Sequence, residues 1–164
     1  MGRVCAQIRR YRRSDEESVV ELSLRAWTPV FASMEQVLGH EIFIRLHGDW
    51  RKFQEKSVRD TLADSAMNVW VAETERRVVA FVAATVLDSA RLLGEIRMLA
   101  VDPYSQDRGI GTALTRLATD WLRSSGMQVA MIGTGGDSGH APARRVYEKA
   151  GYTVIPLARY FKAL

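Results

Sequence analysis

Apolar residues change their spacing several times along this chain, and each change marks an element. Over residues 4–11, Val4, Ala6 and Ile8 alternate with polar neighbours, the period of a strand. Val19, Val20, Leu22 and Ala26 then fall on one side of a helix. The pattern starts that helix at a Ser14-Asp15-Glu16-Glu17 capping box and ends it near Thr28-Pro29. Helical spacing resumes over residues 34–47, and a third segment capped by Asp49 runs to about Leu62. Residues 69–72 and 78–87 read as strands across a polar turn, with 92–101 as their antiparallel partner. Ile110, Ala113, Leu114, Leu117, Ala118, Trp121 and Leu122 recur at steps of three and four, which predicts an amphipathic helix. A strand over 128–132, a helix over 141–150 and one or two closing strands over 152–161 complete the chain. This succession of strands and helices predicts an α/β sandwich around a mixed, mostly antiparallel sheet flanked by helices.

Length and composition narrow this little. A chain of 164 residues with 47% apolar content suits one domain with a sizeable core. No apolar run approaches the roughly 18 residues of a membrane span. The single cysteine, Cys5, cannot close an internal disulfide, and a reducing cytoplasm is expected. Cys5 has no visible base partner either, which disfavours a covalent acyl-cysteine route. The formal charge of +4 suits nucleic acid or an anionic ligand. No aromatic stacking motif or recognition helix accompanies Arg9, Arg10, Arg12 and Arg13, so these read as a solvated strand edge. His40 and His47 are two turns apart with no third ligand, too little for a metal site.

The informative stretch is Gln106-Asp107-Arg108-Gly109-Ile110-Gly111, between the apolar strand and the amphipathic helix. The first N–H groups of a helix lack intrahelical partners and carry the positive end of its dipole. Gly109 and Gly111 have no Cβ, so a phosphate can approach the main chain. No Lys follows Gly111, which excludes a P-loop, and no third glycine follows as in Gly-x-Gly-x-x-Gly. A plain helix start would account for the glycines equally well. The flanks decide between the two.

With those flanks the stretch resembles the acetyl-CoA-binding motif of the GCN5-related N-acetyltransferase (GNAT) superfamily, Gln/Arg-x-x-Gly-x-Gly/Ala. The match continues upstream through Glu95-Ile-Arg-Met-Leu-Ala-Val101-Asp-Pro and downstream through Ala143-x-x-x-Tyr147-Glu-Lys-x-Gly151-Tyr152. Three segments in order and spacing are more specific than one loop. The resemblance covers the chain from about residue 69. It implies one GNAT domain over residues 1–164. Residues of about 92–126 would form the acetyl-CoA-binding strand, loop and helix, and those of about 14–64 the acceptor-side helices.

The resemblance implies roles for particular residues. Glu95 would be the general base: an alkyl ammonium of pKa near 10.4 must lose a proton before it attacks, at a cost from pH 7 of roughly 4.6 kcal/mol. The backbone of Leu99, Ala100 and Val101 would pair with the pantetheine arm. An N–H near Leu99 would polarise the thioester carbonyl, an effect worth about 2.7–4 kcal/mol. Gln106, Asp107, Arg108, Gly109, Ile110, Gly111 and Thr112 would form the diphosphate loop, with Asp107 turned to solvent. Tyr147 would protonate the departing thiolate, with Ala143 beside the cofactor. At His140 many members have Asn; the histidine could bond CoA, act as acid or base, or cap a helix.

Trp27, Phe31, Glu35 and Asp137 are candidates for the acceptor side, where aromatic faces and carboxylates suit a cationic amine. Pro29, Met34, Glu41 and Trp50 belong with them, although helix packing accounts for most of these residues. The expected activity is acetyl transfer from acetyl-CoA to a primary amine of a small molecule, by direct attack in a ternary complex. Neither a metal, nor nucleic acid, nor a membrane is expected to take part. Peptide or protein acetylation is the second reading, and an acyl-CoA-binding sensor the third. The sequence leaves the amine, and dimer or monomer, open.

Overall fold

A computed structural model describes residues 6–164. The expected start of the first strand at Val4, and Cys5, lie outside the described residues. Five strands form one sheet in the order β1-β2-β3-β4-β5. They are β1 (Gln7–Arg10), β2 (Asn68–Thr74), β3 (Arg77–Asp88), β4 (Leu93–Val101) and β5 (Val129–Ile132). The first four pair antiparallel, and β5 joins β4 in parallel. The helices are α1 (Glu16–Leu38), α2 (His40–His47), α3 (Trp50–Ala63), α4 (Ile110–Ser124) and α5 (Ala141–Lys149).

Alternation along β2 and β3 makes two cores, one on each face. Trp70 and Ala72, with Ala80, Val82 and Ala84, meet Leu114, Ala118 and Leu122 of α4. Val69, Val71, Phe81 and Ala83 meet Val19, Val20 and Leu22 of α1 and Val58 of α3. The Val, Leu and Phe side chains among these contribute about 1.5–3 kcal/mol each on burial. The mixed, mostly antiparallel α/β sandwich predicted from the pattern is therefore the fold.

Three local expectations are corrected. The capping box at Ser14 does not form: the buried Asp15 carboxylate instead accepts the Arg12 N–H at 2.8 Å and is gripped by Arg9 at 2.8 and 2.9 Å. Pro29 does not end α1, which runs unbroken through it to Leu38. A proline forfeits one intrahelical bond, but Val19, Val20, Leu22 and Phe31 bury the helix on both sides of it. The chain turns at Gly39 instead, with φ +77°. The closing strands are absent: residues 152–164 form no strand, and Val154, Ile155, Leu157 and Tyr160 are exposed. Pro156, which has no N–H to donate to a ladder, interrupts that apolar run.

Candidate active site

The site exists because β4 outruns its neighbour. Parallel pairing couples Leu93–Ile96 only to Val129–Ile132. Beyond Ile132 the chain leaves the sheet through the glycine-rich segment 133–139, while β4 continues to Val101. The β3–β4 register skips between Ala84↔Ile96 and Ala83↔Met98, so Arg97 is an extra, bulged residue. A bulge bends its strand and re-aims the side chains after it. Leu99 and Val101 consequently pack toward α4, and Met98 and Ala100 toward α1. On the side that β5 has left, residues 97–101 present main-chain groups. One of these, the Val101 carbonyl, accepts the Gln106 side-chain amide at 3.2 Å.

The next loop is fixed from α1. Asp102, buried, takes the Arg25 guanidinium at 2.6 Å on one oxygen and the Tyr104 N–H at 3.1 Å on the other. Asp107 (φ +59°) and Gly109 (φ +79°) then turn the chain sharply into α4. Ala113 N–H to the Gly109 carbonyl, 3.0 Å, opens the helical ladder. The N–H groups of Ile110, Gly111 and Thr112 precede that bond and have no helical partner. This is an anion seat.

A cavity of about 490 Å³ fills the space between these parts. Residues 96–101 floor it, Gly109, Ile110, Gly111 and Thr112 form one wall, and α5 forms the other with Ala143 and Tyr147. Ala26, Trp27, Pro29 and Val30 of α1 close one end. Tyr147 is 9% exposed. Burial, with the Tyr152 ring 6.5 Å away, pushes its phenol up to about 12. It is therefore a neutral hydroxyl across the physiological range.

Leu99, Ala100, Val101, Gln106, Asp107, Gly109, Ile110, Gly111, Thr112, His140, Ala143, Tyr147 and Trp27 thus border one cavity. Arg108 is exposed and does not border it. Asp107 is exposed but sits at its edge. Glu95 stands behind the wall: its Oε2 is 2.8 Å from Nη2 of Arg97, which does border the cavity, yet that oxygen accepts no hydrogen bond. Phe31 is away from the cavity, stacked on Trp50 at 4.5 Å and edge-on to Phe43 and His47. Burial in this aromatic group lowers the His47 imidazole from its usual value. Glu35 faces His40 at 2.7 Å, also away from the cavity. Asp137 lies just behind His140, which it meets at 2.5 Å.

Sequence reasoning passed over Arg145 and Lys149, which border the cavity on α5. Their i, i+4 spacing puts both cations on one helix face, and that was the available signal. The whole arrangement suits a long, anionic ligand. Unpaired N–H groups and two cations face its phosphates, and an open strand edge faces an amide-bearing arm.

Residues 31–152 match the Acetyltransferase (GNAT) family. The chain belongs to that family. Among curated relatives, a mycothiol acetyltransferase from Saccharomonospora viridis is 29% identical over 151 residues, 86% of this chain. The chain spans 43% of that relative's length. The PaiA N-acetyltransferase of Thermoplasma acidophilum, solved with coenzyme A, superposes with a TM-score of 0.68 at 15% identity, covering 94% of this chain and 93% of that one. An aminoglycoside N-acetyltransferase solved with CoA gives 0.60 at 13%, covering 97% and 95%. Acetyl-CoA is the family's acyl donor, and the seat described above fits it. Among the described residues no cluster of three or more His, Cys, Asp or Glu could hold a metal, and no helix is long and apolar enough to cross a membrane.

Proposed function

We propose that this chain transfers the acetyl group of acetyl-CoA to a primary amine of a small molecule, by direct attack with both substrates bound. The observation that carries the reading is the single cavity shared by the open edge of β4, the anion seat of α4 and the buried Tyr147. At about 490 Å³ the cavity lies in the range of small-molecule sites. The names of the mycothiol and aminoglycoside enzymes support a small acceptor.

In this reading the main-chain groups of Leu99, Ala100 and Val101 align the pantetheine arm. Ile110, Gly111 and Thr112 hold the diphosphate with Arg145 and Lys149. The acetyl group sits near the bulge at Arg97, with the amine beyond it toward Trp27. Tyr147 donates a hydrogen bond to the departing sulfur. Full proton transfer from a phenol of pKa about 12 to a thiolate of thiol-like pKa near 8.5 runs uphill by about 5 kcal/mol. Tyr147 thus stabilises charge on sulfur more than it acidifies it. Glu95 reaches the cavity through its ion pair with Arg97.

Calorimetry with acetyl-CoA, followed by CoA-release kinetics over spermidine, glucosamine, kanamycin and an alanyl tripeptide, tests the reading. Binding with turnover of one of the first three supports it. Turnover of the tripeptide alone would move the acceptor to peptides, and absence of binding would sink the assignment.

A further inference from the structure

We propose that His140, oriented by Asp137, takes the proton from the acceptor ammonium. The inference rests on the acetyl-transfer reading above and deepens it by naming the base.

The position favours His140. It borders the cavity where α5 begins, at the end that α1 closes with Pro29 and Val30. Glu95, the carboxylate that the sequence offers for this task, stands behind Arg97 and outside the wall. His140 is also free of the duty its place in the chain suggests. It immediately precedes α5, yet its side chain caps no helical N–H. Asp137 already satisfies the Gly139 N–H, at 3.1 Å.

The pair is held from several directions. His140 Nδ1 lies 2.5 Å from Asp137 Oδ1, and both side chains are largely buried, 17% and 12% exposed. Ser33 of α1 accepts the Gly139 N–H at 3.0 Å and meets Ser138 at 3.1 Å. Arg144 donates to the carbonyls of Gly135 and Asp137 at 2.6 and 2.8 Å. A Cβ on Gly135 would stand 2.5 Å from both Asp137 Oδ1 and His140 Nδ1, and one on Gly139 would stand 2.7 Å from Ser33 Cβ. The loop accommodates this pair only because those two positions are glycine.

Proton logic follows from the contact. Burial works to raise the Asp137 carboxyl, but hydrogen bonding from Ser33 and His140 and the charge of His140 together hold it below its usual range. An ionised carboxylate only accepts, so Nδ1 carries the hydrogen and Nε2 of the neutral ring keeps its lone pair. The other charged groups that border the cavity are Arg97, Asp107, Arg145 and Lys149, and Arg144 binds the loop through the Gly135 carbonyl. α1 contributes only neutral residues to the cavity lining, Val30 among them, and its Ser33 meets the adjacent Gly139 N–H.

In the step, Nε2 takes one ammonium proton. The freed nitrogen pair forms the C–N bond while the C–S bond breaks, and sulfur keeps that electron pair. The nitrogen's remaining surplus proton ends on sulfur beside Tyr147, and the imidazolium returns its own proton to water. Amine and thioester become amide and thiol, with one proton released.

The test uses the full chain, acetyl-CoA and whichever panel amine turns over fastest, with kcat/KM followed from pH 5.5 to 9. His140→Ala should lose about 10²–10⁴-fold in kcat/KM, keep its acetyl-CoA affinity by calorimetry, and regain rate with added imidazole. Asp137→Asn, altering a positioning residue, should lower kcat while acetyl-CoA affinity holds, because the ring loses the carboxylate that orients it. Weakened acetyl-CoA binding with kcat intact in His140→Ala would make this residue a CoA contact and overturn the proposal. So would an acid limb that disappears in Glu95→Gln but persists in His140→Gln. If His140→Ala does not fold, His140→Gln decides: loss of the acid limb supports the proposal, and an unchanged limb overturns it. A wild-type chain inert toward every amine sinks the acetyl-transfer reading itself, which keeps the two failures apart.

Discussion

At the residue scale, buried titratable groups differ in what their surroundings do to protons. Tyr147, buried with its pKa near 12, stays protonated over any assay range. Tyr147→Phe should therefore lower kcat by about tenfold, the weak end of what a hydrogen bond to a charged group contributes, about 1.5 kcal/mol, while leaving both limbs of the pH profile where they were. Steady-state CoA release from pH 6 to 10 measures this, and a lost alkaline limb in the variant would contradict it. Asp15 follows the opposite logic. The hydrogen bond from Arg9 lowers its carboxyl despite burial, which raises it. A carboxyl depressed in the folded state stabilises fully above its unfolded pKa of about 3.9, and that stability is lost as pH falls through the folded value. Asp137 adds to the same dependence. Denaturant midpoints should fall more steeply below about pH 4 in the wild type than in Asp15→Asn, and parallel curves would refute the link.

At the scale of elements, the strand–loop–helix of β4 and α4 was legible because its signals are local. Period-two apolar spacing, two glycines and then steps of three and four need no knowledge of the rest of the chain. The sheet's mixed character was legible for the same reason. What escaped depended on neighbours far along the sequence. Pro29 obeys a local stop rule that the packed faces of α1 override. Phe31 and Glu35 sit near Trp27 in sequence, but α1 turns them toward Trp50 and His40. Asp137 and His140 were read as separate groups, since only the seating of their loop against Ser33 joins them in one site. The tail beyond Tyr152 looked like strand by composition and pairs with nothing in the sheet. These elements carry unequal burdens. Leu114 is fully buried between α4 and the sheet, so Leu114→Ala should cost about 2–5 kcal/mol, read from urea midpoints. In the proposed reading Leu99 acts through its backbone on an open edge. Leu99→Ile should preserve acetyl-CoA affinity and Leu99→Pro abolish it, because proline removes the N–H. Equal losses in the two would show that the side chain, not the strand edge, meets the ligand.

At the scale of the molecule, the cavity is where separately anchored parts converge: β4 from the sheet, α4 from one face, α1 from the other, and α5 across the opening. A ligand that touches all of them links their unfolding. Acetyl-CoA at 100 times its Kd should add about 2.7 kcal/mol to folding stability. For a chain of this size each kcal/mol moves Tm by about 2–4 °C, so the shift should be roughly 5–11 °C. Part of that grip is charge. Arg145 and Lys149 are exposed on α5 at the cavity's rim, where substitutions alter intrinsic stability by less than about 0.5 kcal/mol. The double variant Arg145→Glu/Lys149→Glu should then melt like the wild type alone, yet gain little from acetyl-CoA. The wild-type shift should also shrink as salt rises from 0.05 to 0.5 M, because the Debye length falls below the span of the diphosphate seat. Differential scanning calorimetry with and without acetyl-CoA reads all of these quantities together. A full shift in the double variant would remove α5 from the anion seat and leave the α4 N-terminus to hold the phosphates alone.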